Sequence, residues 1–70
     1  MMNLVGRKWS ELNEEVKAEL MKDFYVDDDY IDNKGRGIMD FGCGLSITCV
    51  ENEYGEWEPI ADCELYNPEA

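Results

Sequence analysis

The side chains of this chain that could do chemistry are three cysteines and seventeen carboxylates, with no histidine to assist either set. Zinc needs ligands converging to about 2.3 Å from one ion. Cys43 and Cys49 are six residues apart in a run that reads as one strand, roughly 20 Å at about 3.3 Å per residue. They predict no shared metal, and no CxxC pair replaces them. A nucleophilic cysteine would also lack its usual imidazole base. Three is an odd number, so each cysteine is read as a small buried hydrophobe rather than half of a disulfide.

The carboxylates offer two further chemistries. A calcium loop needs oxygen ligands at alternate places, Gly at the sixth and Glu at the twelfth. In "VDDDYIDNKGRG", residues 26 to 37, starts at Asp27, Asp28 or Asp29 put Asp32, Asn33 or Lys34 at the sixth place, and a start at Asp32 puts Lys34 where an oxygen is wanted. The pattern fails in every register. General acid and base work needs two acids whose surroundings push their pKa values apart, whereas the C-terminal acids alternate onto an outward, watered face. "GRG" at 35 to 37 is too short for a phosphate loop. The chain is therefore expected to be no enzyme, with no cofactor, no metal and no catalytic residue.

Charge carries more information. The net charge is −11, and all six bases (Arg7, Lys8, Lys17, Lys22, Lys34, Arg36) precede residue 37, leaving the eight acids beyond it without a local cation. Nucleic acid is bound by neutralising phosphates with Lys and Arg, so this sign disfavours direct nucleic-acid binding, and an anionic membrane likewise; neither is expected as a partner. It suits a basic protein surface.

Certain elements must position these groups. Ser10 is a plausible N-cap, Glu11, Glu14 and Glu15 suit the first helical turn, and Leu12, Val16, Leu20 and Phe24 recur every four residues with Trp9 and Met21 widening the stripe. The spacing predicts a helix over about 11–25, then an acidic connection over 26–37. "GIMDFGCGLSITC", residues 37 to 49, alternates without a break: Met39, Phe41, Cys43, Leu45, Ile47 and Cys49 on one parity, Asp40, Gly42, Gly44, Ser46 and Thr48 on the other. It reads as one strand. Alternation returns from Glu56, with Trp57, Pro59, Ala61, Cys63 and Leu65 on the apolar parity.

These two runs predict a hairpin over about 38–66. Keeping both apolar rows on one face demands a loop of odd length, and a three-residue loop, Glu53 to Gly55, meets the demand. Asn52 then faces Glu56, Leu45 faces Cys63, and Ile47 faces Ala61. A five-residue loop would instead oppose Cys43 and Cys63. Pro59 marks its strand as an edge. The bare parity, Gly42, Gly44, Ser46 and Thr48, would face Tyr66, Glu64, Asp62 and Ile60, with Tyr66 covering Gly42; it is read as solvated, or else as a docking strip.

The expected fold is a single α+β domain over residues 1–70, an N-terminal amphipathic helix packed on a small antiparallel sheet built around a C-terminal hairpin. Two strands are marginal, so a third is expected from "MNLV" or from residues near Tyr30. No run approaches the roughly 20 apolar residues of a membrane span, and the chain reads as soluble and cytoplasmic, in a host cell if phage-encoded.

Partner-binding residues follow from charge and exposure: Asp27, Asp28, Asp29 and Asp32 beside Glu56, Glu58, Asp62 and Glu64, with Tyr30 and Tyr54 supplying contact area. Duplex DNA carries a charge per about 1.7 Å of axis, whereas alternate strand positions are about 6.6 Å apart. One strand ladder is too sparse to imitate it, so the two acidic groups must be brought together. In size and charge the chain resembles the DNA-mimicking inhibitors with which phages and mobile elements block restriction (antirestriction) or CRISPR (anti-CRISPR) nucleases. The likeness is one of class. It implies a protein that occupies the DNA-binding groove of a nuclease; the alternative is a general interaction module or homodimer assembled through a sheet edge, its charge serving solubility.

Overall fold

Asn13, rather than Ser10, starts the helix of this protein: in the computed structural model, which describes residues 3–27, 29 and 31–69, its side-chain oxygen accepts the Val16 N–H at 2.8 Å. A 3-10 turn, Trp9–Glu11, precedes it, and the extended Leu12 separates the two. Helix α1 then spans Glu14–Met21, with Glu14 and Glu15 at its positive end. It is shorter than the expected 11–25. Phe24 leaves the helical stripe because residues Phe24–Asp27 form strand β1. Aromatic and β-branched side chains suit a pleated surface, and pairing with a neighbouring strand overrides the helical spacing there.

Strands β2 (Arg36–Phe41), β3 (Ser46–Glu51) and β4 (Trp57–Pro59) complete a four-stranded antiparallel sheet in the order β1-β2-β3-β4. The long alternating run is thus two strands and not one. Residues 42–44 form a three-residue turn between them, closed by Phe41 N–H donating to Leu45 O (2.8 Å) and Gly44 N–H to Phe41 O (3.0 Å). Gly44 takes φ +95°, which an L side chain resists. A loop of odd length preserves parity, so Met39 faces Ile47 and the apolar row stays on one side through the reversal. Alternation alone is blind to such a turn.

The second hairpin has the expected loop. Asn52 N–H donates to Glu56 O at 2.7 Å, Gly55 N–H donates to Asn52 O at 3.1 Å, and Gly55 has φ +80°. Val50 faces Glu58, Cys49 faces Pro59, and Ile60 N–H still reaches Thr48 O. Beyond Ile60 the expected register ends. Cys63 N–H turns back to Ile60 O, and Ser46 pairs with Tyr66 instead of Asp62. The chain leaves the sheet at 61–65 because that segment pairs with residues 6–10: Ser10 and Trp9 donate to Ala61 and Cys63, and Leu65 donates to Arg7. The pairs Leu45–Cys63 and Ile47–Ala61 do not form. The strand added to the two hairpins is β1, which ends three residues before Tyr30 and not in "MNLV"; Gly6–Ser10 contributes a single bridge, Lys8 to Glu64, and no strand of the sheet, and Tyr30 itself lies outside the described residues.

One core results. Met39, Ile47 and Cys49 are 0% exposed, Leu12, Leu20, Phe41 and Leu65 join them, and Trp9 stacks on Phe41 with centroids 5.9 Å apart. Cys43, expected inside, is exposed because it rides the β2–β3 turn. All three cysteines are free.

Candidate functional site

Register decides which acids meet. Arg36 opens β2 and faces Val50 near the end of β3, so the β1–β2 connection and the β3–β4 loop emerge from the same end of the sheet. Asp27 closes β1 there, Asp29 and Asp32 follow in the connection, and Glu56 and Glu58 stand on the neighbouring hairpin. Glu51 and Glu53 belong to the same end, although parity and face had not singled them out. Asp28 lies outside the described residues, as does Tyr30. Asp62 and Glu64 lie elsewhere, on the segment paired with residues 6–10, where Glu64 faces Lys8.

Two side chains make this end rigid. The Asn52 side-chain oxygen accepts the N–H groups of Tyr54 (2.8 Å) and Glu56 (3.0 Å), fixing the loop that carries Glu53 and Tyr54. Tyr54 is 80% exposed at its tip. Asp32 does the same for its own turn: one carboxylate oxygen accepts from the backbone of Lys34 (2.9 Å) and Arg36 (3.0 Å), the other from Arg36 Nε (2.9 Å). The backbone N–H of Arg36, foremost among these donors, holds the Asp32 carboxyl below the usual aspartate range. Its charge is engaged inside its loop. Asp27 Oδ1 accepts the Asp29 N–H at 3.3 Å. Between the two loops, Gly37 leaves room for the Trp57 ring, which a Cβ there would meet at 3.4 Å, and Ile31 borders the same gap.

The three ion pairs among the described residues, Lys17–Glu14, Lys22–Glu19 and Arg36–Asp32, all lie within the first 36 residues. No described acid after residue 37 is ion-paired. At the sheet end, Lys34 and Arg36 are the cations set among Asp27, Asp29, Glu51, Glu53, Glu56 and Glu58. An aromatic and apolar centre with an acidic rim is suited to a basic partner.

The even face of the sheet is not bare. Ser46 is fully buried, its hydroxyl donates to Asp40, and its backbone exchanges both hydrogen bonds with Tyr66. Tyr66, Pro68 and Glu69 border a cleft of about 440 Å³ floored by Ile38 and Asp40. Burial, then the Asp40 charge, pushes the Tyr66 hydroxyl up. Gly42 is met by Asp23, not Tyr66. Burial likewise pushes the Cys49 thiol up, which makes it a poor nucleophile. Among the described residues no three Cys, Asp or Glu side chains converge as a metal ion would require, and no helix is long and apolar enough to cross a membrane.

No protein-family model matches the chain, and no curated protein or solved structure matches it.

Proposed function

We propose that this is a non-catalytic, acidic protein-binding protein that engages a basic, nucleic-acid-binding surface through the loop end of its sheet, the groove of a restriction or CRISPR nuclease being one such surface. The observation that carries the reading is that Asp27, Asp29 and Asp32 lie at the same end of the sheet as the 51–58 hairpin, the hairpin's acids having no ion pair among the described residues. Two hydrogen-bonded loops order the backbone that carries those acids before any partner arrives, which lowers the ordering cost of binding. Opposite charge speeds encounter, and Tyr54 supplies contact area.

Capture on the immobilised protein, from extract of the cells that produce it, tests this. The retained protein should bind DNA, should be released by competing duplex, and should lose affinity steeply with salt. A Glu51→Gln, Glu53→Gln, Glu56→Gln, Glu58→Gln variant should retain little of it. Capture indifferent to both duplex and variant would overturn the reading. A second reading, self-association, rests on β1 as an edge strand with Phe24 and Tyr25 41% and 63% exposed. It predicts a mass that rises with concentration at any salt.

A further inference from the structure

An apolar cleft lies away from that sheet end. It has a volume of about 630 Å³, within the range of about 300–1,000 Å³ typical of clefts that hold ligands. Leu4, Val16, Leu20 and Leu45 line it, and Glu15 and Glu19 stand on its wall. On α1 these side chains form two adjacent rows, Val16 and Leu20 beside Glu15 and Glu19, each pair four residues apart. An apolar row flanked by an acidic row is the complement of an apolar row flanked by a basic one. We infer that this groove accepts an amphipathic helical segment of a basic protein, its apolar side chains on the leucines and its Lys or Arg on Glu15 and Glu19.

Charge selects this occupant over the alternatives. Glu19 is shared with Lys22 at 2.8 Å, but Glu15 has no ion pair among the described residues. A second copy of the chain would bring net charge −11 against the same two carboxylates, and like charges across an interface are costly. The inference stands apart from the sheet-end reading and survives its failure.

A synthetic amphipathic helix of Leu and Lys, with leucines at i, i+3, i+4 and i+7, is the probe. Methyl NMR should show shifts at Leu4, Val16, Leu20 and Leu45, and alkylation of the exposed Cys43, which also lines the cleft, should slow severalfold. The Glu15→Lys, Glu19→Lys variant should weaken binding at least about tenfold, equivalent to about 1.4 kcal/mol. Both positions are exposed; should that variant nonetheless unfold by circular dichroism, Glu15→Gln, Glu19→Gln must still weaken binding severalfold. Three results overturn the inference: equal binding of a Leu/Glu helix, equal binding of a Ser/Lys helix, or backbone amide shifts confined to residues 51–58 with the groove methyls unmoved. Movement of the groove methyls with protein concentration alone would hand the groove to a second copy and overturn it too.

Discussion

Asn52 governs the tip of the candidate surface through one oxygen, which accepts two backbone N–H groups that the three-residue loop would otherwise leave to water. Asn52→Ala removes both bonds at a half-buried site and should cost about 1–2 kcal/mol, seen as a lower urea midpoint with an unchanged slope. Asp32 plays the matching part in the other loop, and its contribution depends on pH. Its carboxyl is held below the usual range by the Arg36 N–H first. A depressed folded-state pKa gives stability that is present above the unfolded value and lost as pH falls through the folded one. NMR titration should place the Asp32 carboxyl below ordinary aspartate, and in Asp32→Asn the acid-side loosening of residues 32–36 should disappear. The aspartates were legible as a cluster, but nothing in their order told which would be engaged by its own turn.

At the scale of elements, two glycines set the fold. Gly44 and Gly55 close successive three-residue turns at φ +95° and +80°. Gly44→Ala and Gly55→Ala should each destabilise by about 1–2 kcal/mol in urea unfolding, since no space is lacking at either site and the cost is the left-handed backbone itself. Only one of these turns was legible. Gly55 interrupts the alternation of apolar side chains, whereas the odd-length 42–44 turn carries the same parity across the reversal and leaves no mark on the pattern. The helix shows the opposite error: Leu12, Val16 and Leu20 do face the core, but the four-residue spacing ran on into Phe24, where pairing with Phe41 holds the chain extended.

For the whole molecule, net charge −11 on 70 residues produces self-repulsion that the three described ion pairs offset only in the first half. The Glu51→Gln, Glu53→Gln, Glu56→Gln, Glu58→Gln variant should therefore melt higher than the parent at low salt. The gap should close toward about 1 M salt, where the Debye length is about 3 Å. Melting curves at two ionic strengths check this without any partner. A variant that melts at the parent's temperature at low salt would mean those carboxylates are too far apart to repel.

The order of residues by itself determined the α+β class, the apolar side of β2, β3 and β4 and the excess of acids beyond residue 37, because periodicity and charge are properties of the chain read one window at a time. Only the tertiary structure decided that one alternating run is two strands, that residues 6–10 draw Asp62 and Glu64 away from the sheet, and that two loops distant in sequence share one end of it. Those outcomes depend on which backbone donor finds which acceptor across the fold. Local pattern leaves that choice open, since a strand side facing the core looks the same whichever strand lies beside it.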